Sequence, residues 1–433
     1  QQWQETTYTD ESNYDLGTRA IPDAWWNELY AANTDFAGFT ITGVLSTFNQ
    51  ARLAARTDIA DAGALKNDTA LIDLHEVYAY YVLVTTFGNV PYSQALNTDN
   101  PFPKYDDAAT IYADLLKRVD ADLAALDENA GSFGNADIIY GGDIAKWKKF
   151  ANSLKLKMGI LLSDSDPAGA KAAVESAAAG DLISSNEDNA LLGYQSSTPN
   201  TNPIWVDLVS SGRQDFVANS TILSYMTPHN DPRLPFYFTE DASSGFSGGD
   251  PGAGSSFPLL SKPSGLQFIL KGDKTDIGKV ALPTSPSDLL DYSEVEFYLA
   301  EAAERGFSVP GTAEEHYNNA ITASIEYWGG TALDAATYLA LPAVNYATAA
   351  GSWQEKIGIQ AYLGFYNRGF DAWTEQRRLD FPVLPVPANA LSDFPVRFTY
   401  STKEQNVNEP NYVSASSAIG GDKVSTKLFF DKY

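Results

Sequence analysis

The sequence predicts a mainly α-helical protein built on tetratricopeptide-like helix pairs, interrupted by long irregular loops and a few short strands. Three observations predict it. Apolar residues recur at i, i+3, i+4 and i+7 in successive stretches, residues suited to helix ends stand where those stretches stop, and the helical period fades and then returns after a Gly-, Ser-, Pro- and Asn-rich interval. The expected organisation is one domain over 1–433, with a helical scaffold at 15–190 and 287–380 and a loop-rich insertion at 191–286 as the ligand-binding region.

The first clear helix carries Leu71, Leu74, His75, Tyr78 and Val82 on one face and stops at Gly88 and Pro91. A second follows from Ile111, Leu115, Val119, Leu123 and Leu126, and a third from Trp147, Phe150, Ala151, Leu154, Met158, Leu161 and Leu162. Asp166 then stands as a cap before Pro167 at the first position of another helix. Across 191–286 the helical period is lost, and short strands are expected around "LPFYFTE" and "LQFILKG". Helical order resumes with Val295, Tyr298, Leu299 and Ala302 on one face and Gly306 at the end. Thr312 and Glu315 form a capping box that opens a helix burying Tyr317, Ala320, Ile321 and Ser324. The two form an antiparallel pair in which Ala313, Tyr317 and Ala320 match the second helix of a tetratricopeptide unit.

Composition excludes several function classes. Lys and Arg number 29 against 55 Asp and Glu, and the formal charge of -26 repels nucleic-acid phosphates and anionic membrane surfaces. The absence of cysteine removes disulfides, thiolate nucleophiles and Cys-ligated metals. No stretch approaches the roughly 18 apolar residues of a membrane span. Only His75, His229 and His316 are present, without H-E-x-x-H spacing, so no metal or other cofactor is expected. His75 reads as a hydrogen-bonded core residue. No G-x-S-x-G elbow occurs, and Gly249 to Gly254 has phosphate-loop spacing but is followed by Ser255 in place of Lys. Glycoside hydrolysis by paired carboxylates is open in principle, but abundant acids are explained by solubility, and no catalytic residue is expected.

Binding is the better-supported class. Aromatic residues make up 12% of the chain, and several fall in polar loops where core packing is not the default explanation. Aromatic faces suit the C–H faces of sugars, and nearby amides, acids and guanidiniums can bond hydroxyls. Trp205 in "TNPIWVDL" leads, with Asn202, Asp207, Arg213 and Gln214 near it in sequence, and Phe257 and Trp353 follow. The alternative for Trp205 is a loop tryptophan that tacks down its own segment. Trp147, Trp328 and Trp373 belong to helices and the core, and Trp25 and Trp26, adjacent on one helix, cannot both face inward.

The segments "YYVLVTTFGNVPYSQAL", "IYADLLKRVDADLAAL", "IYGGDIAKWKKFANSLKLKMG", "DPRLPFYF", "SEVEFYLAEAAERG", "AWTEQRRLDFP", "PVRFTYSTKEQNVN" and "KLFFDKY" together resemble, in this order, the SusD-like (RagB/SusD) outer-membrane lipoproteins of Bacteroidetes. The resemblance implies the SusD-like fold, a non-catalytic role in polysaccharide utilisation at the cell surface, and a partner, a SusC-like TonB-dependent transporter over which the protein closes as a lid. It also implies a lipid anchor on a cysteine that this sequence lacks, so the anchor-bearing N-terminus is expected to have been removed for soluble expression. Phe87 to Pro91 is expected to be a structural corner, "NTDNPFPKY" to approach ligand or transporter, and Trp373, Arg377 and Arg378 to fix the core and its ion pairs. The acidic composition suggests a marine setting and a β-glucan such as laminarin as ligand. A lid for peptide or other non-sugar cargo is the alternative, and a scaffold that grips only protein is a third.

Overall fold

The computed structural model describes residues 4–8, 14, 16–17, 20–30, 33–34, 40–41, 43–212, 215–253, 259–263 and 282–433. The chain divides into two compact units. One comprises Gln1–Tyr14, Val174–Leu391 and Tyr433, and the other Asp15–Ala173 and Ser392–Lys432.

The second unit is built on the helices Ile21–Tyr30, Val44–Asp58, Ala62–Phe87, Ala108–Ala125 and Ile144–Leu161. Three of them start on an aspartate whose carboxylate accepts from the third helical N–H: Asp61 from Ala64, Asp107 from Thr110 and Asp143 from Lys146. Asp166 accepts from the Gly169 N–H ahead of the helix that begins at Pro167, as its position in sequence predicts. His75 is hydrogen-bonded but only partly buried, its Nδ1 2.6 Å from the Leu71 carbonyl and its ring against Trp147 and Phe48; burial lowers its pKa.

Phe87 to Pro91 is a structural corner. Gly88 adopts φ 88°, and a Cβ there would lie 3.0 Å from Leu428 Cδ2. Buried Asn89 turns its Oδ1 to accept from the Ala108 N–H, so it caps the next helix, while the Asp106 N–H donates to the Val90 carbonyl. Phe87 completes an aromatic cluster in which Trp26 meets Phe87 at 5.2 Å and Tyr30 at 5.0 Å. Trp26 is the inward member of its pair, and Trp25 is half-buried with Phe398 edge-on at 5.4 Å. Fully buried Arg397 donates to the Phe87 carbonyl at 2.9 Å and to Asp422 at 2.6 Å.

The first unit packs Tyr292–Glu304, Ala313–Trp328, Ala332–Leu339, Trp353–Gly364 and Gly369–Leu379 around a core that includes Phe297, Tyr317, Ile321, Trp328, Ile357 and Tyr362. The Thr312–Glu315 capping box is formed from both sides. The first two helices run antiparallel: Ser293 Oγ, early in one, donates to the Ala320 carbonyl, while Glu296 meets His316, nearer the start of the other. Trp373 is buried with the Arg377 guanidinium 3.6 Å above its ring, and Arg378 is buried between Glu301 and Glu375.

The described residues of the interval 191–286 include regular elements. Its ends are held by an antiparallel pairing of Ala190–Leu192 with Ser287–Leu290, and it contains the helix Ser220–Met226. The strand expected around "LPFYFTE" is instead the helical turn Leu234–Tyr237. Asp231 accepts from the Arg233 backbone and side chain, and Pro235 in the first turn supplies a helical φ, so local polar chemistry overrides the β-prone aromatics. The strand expected around "LQFILKG" lies outside the described residues.

Candidate functional site

Within the first unit a cavity of about 760 Å³ is walled by three strands of sequence far apart in the chain: Glu5 and Thr6, the stretch Pro199–Leu208 with Phe216 and Pro263, and Tyr366–Phe370. Its size and its mostly apolar wall with a few polar groups are those of a small-ligand site.

Each wall has a local cause. Asn202 buries its side chain and spends both ends of its amide. Oδ1 accepts from the Ile204 and Trp205 N–H groups, and Nδ2 donates to the Ser285 carbonyl at 2.8 Å. Pro203 follows in the first turn, the chain makes the helical turn Pro203–Trp205, and a wider, π-type turn continues through Val206–Ser210. This turn presents Ile204, Val206, Asp207 and Leu208 to the cavity.

The opposite wall comes from the N-terminal strand Thr6–Tyr8, which pairs antiparallel with Phe216–Ala218. Hydrogen bonds on either side of Glu5 hold it there. Thr221 Oγ1 donates to Gln4 Oε1 at 2.6 Å, Tyr362 OH donates to the Gln4 carbonyl, and Asn219 N–H donates to the Glu5 carbonyl. The Glu5 carboxyl is 7% exposed, and its Oε2 accepts from the Asn367 N–H at 3.1 Å. Asn367 makes this bond from the left-handed region, φ 68°, which asparagine tolerates. Burial pushes the Glu5 carboxyl up to about 7, with the Asn367 bond acting the other way. Behind it Tyr237 and Tyr366 stack at 4.1 Å, and burial raises both phenols.

The candidates drawn from sequence separate here. Asp207 lines the cavity. Trp205 is half-buried on the same helical turn but is not among the lining residues. Asn202, expected beside the ligand, is instead the cap that holds the turn. Trp353 is elsewhere: it opens the helix Trp353–Gly364, packs on the core and carries the Arg305 guanidinium 5.2 Å from its ring. Arg213, Gln214 and Phe257 lie outside the described residues. Sequence reasoning missed Glu5, Thr201, Asn367 and Phe370, which reach the cavity only through pairing and packing.

Among the described residues no group of three or more His or acidic residues is placed to hold a metal ion, and no helix is long and apolar enough to cross a membrane.

The SusD-like family, described as starch-binding proteins associating with the outer membrane, matches residues 1–401. No curated protein matches the chain. Solved structures share its fold at low identity. A chitin-binding protein is 24% identical with a TM-score of 0.81, the alignment covering 100% of this chain and 93% of that one. A SusD homologue from Bacteroides uniformis is 23% identical with a TM-score of 0.80, covering 100% and 93%. A chitin-binding SusD homologue from Flavobacterium johnsoniae is 22% identical with a TM-score of 0.75, covering 99% and 92%. With the helical architecture in place and the match running from residue 1 to residue 401, the chain belongs to the SusD-like family.

Proposed function

We propose that this chain is a non-catalytic, cell-surface oligosaccharide-binding protein that hands its ligand to a SusC-like TonB-dependent transporter, with the cavity beside Pro203–Ser210 and Trp205 at its edge as the binding region. The single observation that carries the site is that cavity: about 760 Å³, apolar over most of its wall, with Glu5, Thr6, Thr201 and Asp207 interspersed. Apolar surface with a few fixed polar groups is what a sugar ring needs, since its C–H faces are dehydrated while its hydroxyls keep partners. The family's association with the outer membrane supports the location, and a lipid anchor would supply it.

Two β-linked glycans contend as ligand. Acidic composition favours laminarin through a saline setting, and two structural relatives are described as chitin-binding. Affinity electrophoresis through native gels containing laminarin, glycol chitin, starch, xylan or alginate tests the reading. Retardation in one glycan is expected, and Trp205→Ala, a half-buried side chain outside the main core, is expected to keep its fold and lose most of that retardation. Unchanged retardation in the variant would remove Trp205 from the site. Migration unaffected by any glycan, together with capture of peptide, would replace a sugar cargo with a peptide one. Release of reducing ends from a retained polysaccharide would overturn the non-catalytic assignment.

A further inference from the structure

The N-terminal strand that walls one side of the cavity is sewn into place by polar groups. Gln4, Glu5 and Thr7 are all buried. Gln4 Nε2 donates to the Pro385 carbonyl at 2.6 Å and to Tyr14 OH at 3.3 Å, its Oε1 accepts from Thr221 Oγ1 at 2.6 Å, and its carbonyl accepts from Tyr362 OH at 2.9 Å. Thr221 and Tyr362 belong to the helices Ser220–Met226 and Trp353–Gly364, and neither lines the cavity. Glu5 and Thr6, next along the strand, do line it. The docked strand bears several penalties. Gln4 is held at φ 62°, in the left-handed region that residues with a side chain disfavour. Glu5 Oε1 and Thr7 Oγ1 on the strand, and Asn219 Nδ2 beside its pairing partner, are buried without a hydrogen-bond partner among the described residues. Water satisfies such groups once the strand lifts. Residues 4–7 are Gln, Glu, Thr and Thr, so lifting them exposes no hydrophobic side chain of their own. A segment docked by polar bonds and little apolar burial is one that opens without the rest of the fold.

We propose that residues 4–8 are a strap that opens and closes the cavity: docked, the strap completes the wall around a bound sugar, and undocked, it dismantles that wall and lets the sugar leave. The strap rests on the glycan-binding reading above and adds its moving part. The opposite wall is fixed independently of the strap, because Asn202 ties the turn Pro203–Trp205 to the Ser285 carbonyl. Opening therefore needs only the release of the Gln4 bonds, the Asn219 and Asn367 bonds to Glu5, and the short pairing of Thr6–Tyr8 with Phe216–Ala218. Docking and occupancy then stabilise one another. A sugar that binds only the docked form lowers the undocked population by the factor 1 + [sugar]/Kd, so the strap opens less often in direct proportion to the free sugar above Kd.

Hydrogen exchange of the full chain, read by mass spectrometry with and without laminarihexaose or chitohexaose, tests this, with Kd taken from a separate calorimetric titration. Without sugar, the amides of 4–8 are expected to exchange at least about tenfold faster than those of the buried helix Ala313–Trp328, which report opening of the unit as a whole. With the sugar that binds, at about 100 times Kd, exchange of 4–8 is expected to slow by about a hundredfold, while the short helix Glu409–Ala418 of the other unit exchanges as before. Tyr362→Phe and Thr221→Val each remove one bond to Gln4 without touching the cavity wall, and each is expected to speed exchange of 4–8 in the free protein and leave Glu409–Ala418 unchanged. Exchange of 4–8 at the rate of Ala313–Trp328 in wild type and both variants would show that the strand lifts only when the whole unit unfolds, and overturns the strap. Calorimetric binding of a sugar with no slowing of 4–8 overturns the coupling and leaves the glycan-binding reading standing. Fast exchange of 4–8 with no heat of binding for either sugar overturns the glycan reading, and with it the strap's role in holding a sugar.

Discussion

Asp122 offers the most direct test of how burial sets proton affinity in this fold. It lies on the helix Ala108–Ala125, is 7% exposed, and its Oδ2 has no partner among the described residues. Burial, with the neighbouring Asp73 charge, pushes its carboxyl up to about 8 against the opposing pull of Arg118 and Arg52. The folded protein thus holds a proton there that the unfolded chain, with an ordinary aspartate near 3.8, releases. Because the folded-state value is the raised one, stability is lost as pH rises from about 4 to about 8, by up to about 1.4 kcal/mol per pH unit. Asp122→Asn keeps the size of the side chain and removes the titration. Between pH 5 and pH 8 the variant should therefore gain on the wild type by up to about 4 kcal/mol. The raised Glu5 titrates in the same window, but it is common to both proteins and cancels in the difference. Urea unfolding of both proteins at pH 5, 6, 7 and 8 reads the effect as a diverging pair of midpoints. Parallel midpoints across the series would show that Asp122 and its neighbour Asp73 share no proton in the folded state, and the reasoning from burial would fail.

Two further perturbations address the helical scaffold. Arg378→Met leaves Glu375 buried without the Arg378 cation and Glu301 with Arg305 alone, and should destabilise the protein by about 3–5 kcal/mol in denaturant unfolding, since breaking one side of a buried ion network strands the other; adding Glu375→Gln should recover part of the loss. Thr312→Ala removes the hydroxyl that accepts from the Glu315 N–H and should cost about 1 kcal/mol, read as a lowered urea midpoint with unchanged slope.

The helical scaffold was legible because its signals are local. Asp166 before Pro167, Thr312 three residues before Glu315, and the spacing of Leu71, Leu74 and Tyr78 each depend on residues within two turns. The corner at Gly88 could be read for the same reason. The cavity was legible only in part. "TNPIW" drew attention to Trp205 and Asp207, but the same letters carry an Asn cap followed by Pro in the first turn, and that signature identifies Asn202 as the residue that builds the turn. Leu234–Tyr237 was misread because its aromatics suit a strand, whereas Asp231 and Pro235 set the backbone. Glu5 had no local signal. Its position depends on Thr6–Tyr8 pairing with Phe216–Ala218, about two hundred residues away, and on the Asn367 N–H beyond that. Non-local pairing leaves little trace in a single sequence, and the unsatisfied oxygens of Glu5 and Thr7 emerge only once the strand is docked.

The interleaving of the two units fixes the order in which the molecule can be completed. The unit that begins at Asp15 is interrupted at Ala173 and resumes at Ser392, and its core needs Arg397, Phe398, Tyr400 and Phe430 from the closing stretch. The helices made first therefore wait, with apolar faces uncovered, until the last forty or so residues have left the ribosome. A chain cut before Ser392 would therefore keep those faces exposed, however complete its earlier helices.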